Sequence, residues 1–144
     1  MIIDNLGLEL LIFIKDGVKH YQLSIIMKSD NVLRNKSFAF ALRVIKCYEY
    51  LKSNKKEFVL SKQMLRCGTS IGANIRESEQ AESKLDFIHK LSVSLKEANE
   101  TAYWLELLEQ SGYLEKEHFD SIYFDCVELL KLLTSIIKTS KSIA

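Results

Sequence analysis

Apolar side chains recur at helical spacing through most of the chain, beginning near Lys36. Residues three and four positions apart lie on one face of an α-helix, so this recurrence predicts helices rather than strands. In the first predicted helix the apolar face is wide and consists of Phe38, Phe40, Leu42, Val44, Ile45, Cys47, Tyr48 and Leu51. Such a helix is either central in a bundle or contacts a partner subunit as well as its own core.

Capping residues predict where the next two helices begin. Asn54, followed by Glu57 three residues later, resembles an N-cap with its partner and predicts a second helix that runs to about Gln80. Ser83 repeats this pattern, with an acidic residue three positions further on. It predicts a third helix over residues 84–110.

Gly112 and the acidic residues that follow it mark the last boundary. A glycine just past a helix end is typical of a C-cap motif, because glycine adopts the left-handed conformation easily. Glu115 and Glu117 would lie in the first turn of a fourth helix, where the helix dipole favours negative charge. Four helices with short connections predict an all-α fold, an up-down-up-down four-helix bundle.

The composition supports helices and a single domain. The 144 residues include no proline and only five glycines, which is too little turn chemistry for a many-stranded fold. A chain of this length fits one domain of roughly 100–150 residues. The three cysteines are an odd number without close spacing, so we expect neither a disulfide framework nor a zinc knuckle. A reducing, cytoplasmic location fits this pattern.

Residues 1–27 differ from the rest, because their apolar positions keep no sustained helical period and are interrupted by charges. Asp4 and Glu9 stand where a secretory leader has a basic start and an uninterrupted apolar stretch. We predict an N-terminal extension over residues 1–27 that folding does not require, with Met27 as an alternative start. The bundle domain is predicted over residues 28–144, and no membrane segment is expected.

The net charge of +1 conceals an uneven distribution along the chain. Residues 28–66 carry ten Lys or Arg against three Asp or Glu, a net charge of +7. Residues 67–144 carry eight against thirteen, a net charge of −5. This asymmetry indicates either a surface for a polyanion or contact between basic and acidic surfaces of two subunits, while uneven charge on solvated helix faces is the simpler interpretation.

Two glycines, Gly68 and Gly72, fall inside the second predicted helix. Each costs roughly 1 kcal/mol relative to alanine in a helix interior, so something must compensate. Their spacing places them on one face, where a neighbouring helix can approach closely, and it does not match a phosphate loop. Asn74 borders the apolar seam, where its amide needs hydrogen-bond partners and would fix register or subunit pairing.

Basic residues on the first two predicted helices form the candidate nucleic-acid site. They are Lys36, Arg43, Lys46, Lys62, Arg66 and Arg76. Side chains aligned in this way along two helices can follow a phosphate backbone and release its counterions. Such binding tolerates sequence variation in the nucleic acid.

Side chains suited to catalysis are scattered along the chain. His20, His89 and His118 do not cluster in the sequence. The glutamates of the third predicted helix lack the paired Glu-x-x-His pattern of di-iron bundles. We therefore predict a protein that is not an enzyme, with no catalytic residues, no metal and no cofactor.

Several segments carry a resemblance to a known family. They are Ser37–Ala41, Leu60–Arg66, Gly68–Glu77, Phe87–Leu91, Leu95–Thr101 and Tyr103–Leu105. In order and spacing they resemble the four-helix-bundle proteins encoded in intervening sequences of bacterial large-subunit ribosomal RNA genes, which are sometimes called ribosomal proteins. The resemblance spans about residues 33–137 and leaves out the N-terminal extension.

This resemblance implies more than the residues themselves indicate. It implies a left-handed bundle that assembles into a homopentameric ring. The family is similar in shape to the accessory variability protein of diversity-generating retroelements, a basic barrel that contacts nucleic acid and a reverse transcriptase. The resemblance implies no established enzymatic activity.

We therefore expect a non-enzymatic oligomer that binds nucleic acid or acts as a scaffold. Its expected partners are further copies of itself, RNA or DNA, and a nucleic-acid-handling enzyme. The alternative is a protein-interaction module that forms a ring by head-to-tail contacts, with the basic first half of one subunit against the acidic second half of the next. Salt distinguishes the two, because nucleic-acid affinity falls steeply as the salt concentration rises.

Overall fold

The protein is an all-α four-helix bundle. The computed structural model describes the backbone of residues 17–143, and the side chains of Lys28 and of residues 31–143. Its helices are α1 (Gly17–Asn54), α2 (Leu60–Ser78), α3 (Lys84–Gln110) and α4 (Lys116–Ser142). The described residues include no strand. The predicted fold class is confirmed.

Each helix packs against the next one along the chain, and α1 also packs against α4. This closed circuit, with connections of about five residues, is the arrangement expected of an up-down-up-down bundle. Apolar side chains from all four helices fill the centre. The largest fully buried ones are Phe40, Leu33, Leu51, Met64, Ile71, Ile75, Leu91, Leu105, Leu108 and Leu129.

Helix α1 begins well before Lys36, where the helical pattern was predicted to start. It runs without a break from Gly17, because the polar run near Lys28 holds no proline or glycine and its Lys28 and Asn31 side chains are exposed to solvent. The prediction of a separate extension over residues 1–27 falls partly outside the described residues. It stays a prediction, as does the bundle domain over residues 28–144.

The predicted cap of the second helix was wrong. Asn54 is the last residue of α1, and the carboxylate of Glu57 caps α2 instead. Its Oε1 accepts from the N–H groups of Val59 and Leu60 at 3.0 and 2.8 Å, and its Oε2 accepts from that of Ser61 at 2.7 Å. The sequence spacing suggested that the Glu57 side chain pairs back with Asn54. In the structure it accepts instead from three N–H groups at the start of α2, which have no partner within the helix.

Electrostatics at Glu57 follow from this capping. Burial, with only 6% of the residue exposed, raises the pKa of its carboxyl group. The backbone N–H donors of Ser61, Leu60 and Val59 act in the opposite direction and leave the pKa below its usual value. The carboxylate is therefore charged near neutral pH and binds the positive end of α2.

The other two predicted boundaries are confirmed. Ser83 caps α3, because its hydroxyl oxygen accepts from the N–H of Asp86 at 3.0 Å. Helix α3 covers the predicted residues 84–110. Beyond its end, Gly112 adopts the left-handed conformation, with φ of 86°, and its N–H donates to the carbonyl of Glu109 at 3.0 Å.

Candidate nucleic-acid interface

Two of the six candidate basic residues face α4. Lys36 forms an ion pair with Glu128 at 2.7 Å. Arg43 forms one with Asp125, and it also donates to the carbonyl and hydroxyl oxygens of Ser121 at 3.1 and 2.8 Å. These side chains lie about two helical turns apart on α1 and bridge the rim of the α1–α4 contact.

Arg66 is bound on the other side of the bundle. Its guanidinium group pairs with two glutamates of α3, Glu97 at 3.5 Å and Glu100. Glu100 also accepts from the indole N–H of Trp104 at 3.2 Å. Arg66 therefore joins α2 to α3, and three of the six candidate cations already have carboxylate partners within the chain.

Arg76 stacks on an aromatic ring. Its guanidinium carbon lies 5.2 Å from the centre of the Phe38 ring, which is within the range of a cation–π interaction. Phe38 is itself 52% exposed. Arg76 thus covers part of an apolar side chain of α1, although Glu77 and Glu79 are close to it in sequence.

Lys46 and Lys62 are the two candidates whose side chains are exposed and form no ion pair with another described residue. The same holds for Lys52 and Lys56, which are not among the six candidates. Lys52 Nζ lies 5.2 Å from the centre of the Tyr48 ring. Four available ammonium groups thus lie on the last three turns of α1, in the connection that follows and on the first turn of α2.

The structure does not bring the six candidates onto one face. Lys36 and Arg43 border the α1–α4 contact, whereas Arg66 borders the α2–α3 contact on the opposite side of the circuit of helices. Most of these contacts join a cation from the basic half of the chain to a carboxylate from its acidic half. Much of the charge asymmetry in the sequence is therefore balanced inside one subunit.

Both helical glycines lie at the contact between α1 and α2. A Cβ atom at Gly68 would be 2.8 Å from Val44 Cγ1, closer than real Cβ atoms come to another heavy atom. A Cβ atom at Gly72 would be 3.3 Å from the hydroxyl oxygen of Ser37. The missing side chains allow the two helices to approach each other closely.

Asn74 is half-buried on α2. Its side-chain amide donates to the carbonyl of Ser70, one turn earlier in the same helix, at 2.8 Å. One N–H of that amide group is thus bonded within the helix. Its predicted role in register or subunit pairing stays a prediction.

The wide apolar face of α1 divides into two parts. Phe40 and Val44 belong to the buried core. Phe38, Leu42 and Ile45 are 52%, 49% and 38% exposed, and we call these three residues the apolar strip. They lie three and four residues apart, so they share one face of the helix. Adjacent exposed apolar side chains of this size are typical of contact surfaces.

A groove between α1 and the start of α4 contains a network of polar side chains. The Tyr50 hydroxyl donates to the Glu115 carboxylate at 2.9 Å, Lys55 pairs with it at 3.0 Å, and His118 Nδ1 lies 3.3 Å from it. The hydrogen bond from Lys55, with that from Tyr50, lowers the pKa of Glu115 to about 2. The same carboxylate raises the pKa of Tyr50.

The cysteine thiols are protonated near neutral pH. Burial raises the pKa of Cys47 to about 11 and that of Cys126 to about 12, so neither is a ready nucleophile. Within the described residues, no three or more His, Cys, Asp or Glu side chains gather into a possible metal site. No helix described for residues 17–143 is long and apolar enough to cross a membrane.

Sequence reasoning missed the partners of the basic residues. Asp125, Glu128 and Glu115 are far from their cations in sequence, and no local spacing connects them. The only available signal was the excess of positive charge before residue 67 and of negative charge after it. That signal fits pairing within a subunit as well as pairing between subunits.

Comparison with known proteins assigns the chain to a family. The sequence model of the family described as 23S rRNA-intervening sequence protein matches residues 29–135, well over half of the chain. The chain belongs to the 23S rRNA-intervening sequence protein family. The resemblance found in the sequence is therefore confirmed. Among curated proteins, none is significantly similar in sequence to the chain.

A solved structure supports the same family assignment. It is that of a protein of unknown function from the S23 ribosomal protein family of Bacteroides thetaiotaomicron, which is 58% identical to this chain. The match covers 76% of this chain and 98% of that one, with a TM-score of 0.76. This 23S rRNA-intervening sequence protein thus shares both sequence and fold with a crystallographically determined relative.

Proposed function

We propose that this 23S rRNA-intervening sequence protein is a non-enzymatic oligomer that binds nucleic acid, with single-stranded RNA as the first expected ligand. The observation that carries the proposal is the group of exposed ammonium groups at the α1–α2 turn. We call Lys52, Lys56 and Lys62, together with the exposed Phe58, the basic turn. Its three lysines form no ion pair with another described residue.

Carboxylates near the basic turn do little to neutralise it. Glu57 lies within the turn, but its charge is taken up by three backbone N–H groups of α2. Phe58 is 54% exposed between the lysines in sequence. Ammonium groups that contact phosphates and an aromatic ring on which a base can stack are the usual elements of single-strand binding.

Self-association is the second part of the proposal. The apolar strip leaves three large side chains of α1 in contact with water, which favours burial against another subunit. A ring, such as the pentamer implied by the family resemblance, would repeat the basic turn several times. Repetition on one assembly strengthens individually weak phosphate contacts by avidity.

Charge reversal tests the nucleic-acid part directly. In the variant Lys52→Glu, Lys56→Glu, Lys62→Glu we expect loss of the mobility shift that the wild-type protein gives with single-stranded RNA at low salt. A matched control reverses three exposed lysines elsewhere, Lys96, Lys131 and Lys138, with the same change in net charge. Binding by the control and not by the first variant supports the proposal, and equal binding by both contradicts it.

The alternative function is a protein-interaction module without a nucleic-acid ligand. The apolar strip favours it, because an apolar surface binds protein more readily than phosphate. Head-to-tail pairing of charged halves has less support, since Lys36, Arg43 and Arg66 already pair within the subunit. Absence of any shift with single-stranded RNA, single-stranded DNA or duplex DNA at low salt would favour this alternative.

A further inference from the structure

The groove between α1 and the start of α4 has the size and lining of a small-ligand pocket. Its cavity measures about 390 Å³, and pockets for small molecules measure roughly 300–1,000 Å³. Leu114 and Ile122, which are 3% and 4% exposed, line it together with the half-buried Cys47. These three residues give the groove an apolar floor.

Two rings form a wall of the groove. Tyr50 and His118 line it, with ring centres 5.9 Å apart and planes at 81° to each other. Glu115 holds both side chains, by accepting from the Tyr50 hydroxyl and by its contact with His118 Nδ1. A flat aromatic ligand could pack on the apolar floor and against the fixed rings of Tyr50 and His118.

The rim of the groove carries available hydrogen-bond donors. Lys46 lines the groove, is exposed and forms no ion pair with another described residue. Arg43 donates three hydrogen bonds, to Asp125 and to the two oxygens of Ser121. A guanidinium group has five N–H donors, so two remain free on a side chain that is already fixed in place.

The nearby carboxylates do not oppose an anion at this rim. Asp125 is paired with Arg43, and Glu115 is paired with Lys55. The ammonium group of Lys46 is thus an unbalanced positive charge beside the apolar cavity. Apolar floor, ring wall and cationic rim together match a ligand that has an aromatic part and a phosphate.

We propose that this groove is a nucleotide pocket, in which the base lies on the apolar floor beside Tyr50 and His118 and the phosphate contacts Lys46 and Arg43. A nucleotide within a strand and a free mononucleotide have the same recognition chemistry. For a strand, the inference rests on the proposed function, because the groove would then hold one nucleotide of the RNA whose backbone contacts the basic turn.

Titration of the full chain with fluorescently labelled adenosine 5′-monophosphate, followed by anisotropy, tests the pocket. We expect saturable binding that Lys46→Ala weakens about ten- to hundredfold, the effect of losing one charge-assisted hydrogen bond to phosphate. Ser121→Phe places a bulky ring in the groove from an exposed position and should abolish binding. Lys131→Ala removes an exposed ammonium group of α4 outside the groove and should leave binding unchanged.

Circular dichroism of each variant establishes that it is folded. Absence of saturable binding by the wild-type protein would overturn the pocket, as would equal binding by wild type, Lys46→Ala and Ser121→Phe. An oligoadenylate strand that competes with the labelled nucleotide identifies a nucleotide in a strand as the ligand. Nucleotide binding without strand binding supports the pocket for free nucleotide and contradicts the nucleic-acid function. Strand binding without nucleotide binding contradicts the pocket and supports the nucleic-acid function.

Discussion

The contact between α1 and α2 is closer than the contacts that α1 makes with α4 and α2 makes with α3, although an ion pair between Arg34 and Glu79 at 3.4 Å borders it as well. At the first, Gly68 and Gly72 allow close approach of the two backbones, and the apolar strip remains exposed beside it. At the other two, arginines and a lysine bridge the rim to carboxylates, as with Arg43 and Asp125. Lys36 and Arg66, which border these contacts, are paired within the subunit, whereas the lysines of the basic turn lie outside them and are free for a ligand.

The contacts of α1 also differ in how much apolar surface remains exposed beside them. Arg76 of α2 lies over the Phe38 ring, yet Phe38, Leu42 and Ile45 remain 52%, 49% and 38% exposed. The charged rims, by contrast, cover the apolar residues behind them with paired polar groups. The apolar strip is therefore the side of the bundle suited to a second subunit.

Disruption of the apolar strip should have the largest effect. For Phe38→Asp with Leu42→Asp we expect dissociation of the oligomer, because interface anchors of this type contribute about 2–4 kcal/mol each. Sedimentation velocity at micromolar concentration measures the change in mass. Phe124→Asp, at a residue of α4 that is 68% exposed, is the control and should keep the wild-type mass. A wild-type protein that sediments as a monomer at every concentration would contradict the proposal.

Substitution of Gly68 should have the next largest effect, on stability. Gly68→Ala puts a Cβ atom against Val44 Cγ1, and overpacking of this kind costs about 1–3 kcal/mol. Gly72→Ala is the matched control and should cost less, since its Cβ atom would be 3.3 Å from the Ser37 hydroxyl. Urea unfolding measures both. Equal stability of Gly68→Ala and wild type would show that the close approach is not needed.

Loss of the Glu57 cap should cost about 1–2 kcal/mol near neutral pH. Glu57→Gln removes the negative charge and one of the oxygens that accept from α2. Because the folded-state pKa is lowered, the contribution is complete above the unfolded pKa of 4.5 and is lost as the pH falls through the folded value. Urea unfolding at several pH values should therefore give curves that converge in acid. A difference between variant and wild type that is independent of pH would contradict the electrostatic part of this account.

The ion pair between Lys36 and Glu128 should have the smallest effect. Both side chains are about 40% exposed, so a double-mutant cycle should give a coupling free energy of about 0.2–1 kcal/mol. Urea unfolding of Lys36→Ala, Glu128→Ala and the double variant measures it. A coupling above about 2 kcal/mol, outside the usual range for exposed pairs, would mean that the charged rims stabilise the bundle as strongly as its apolar contacts.

Local signals predicted the fold well. The Ser83 cap, the left-handed Gly112 and the extent of α3 all depend on residues that are neighbours in sequence. The α2 cap failed because a glutamate three residues after an asparagine is compatible with two geometries, and the longer side chain of Glu57 can reach either way. Only the position of the α1 end distinguishes them.

The candidate site was less predictable, because it depends on which residues the bundle brings together. Helical spacing placed Lys36, Arg43 and Arg66 on helix faces, but it could not identify the carboxylates opposite them. The groove behind Lys46 combines residues of α1 with residues of α4, about 70 positions further along the chain. Tertiary packing creates both features, so no local pattern in the sequence contains them.

The salt dependence of RNA binding most directly tests the distinction between cations that are paired within the subunit and cations that are free to contact phosphate. For a single strand, the slope of log K against log salt concentration is about −0.7 per phosphate neutralised. Substitution of Lys52, Lys56 and Lys62 by alanine should therefore flatten the slope by about 2 per subunit in contact. The paired cations Lys36 and Arg66, substituted in the same way, should leave it nearly unchanged. Equal flattening by both sets, or wild-type binding that does not depend on salt, would contradict the account.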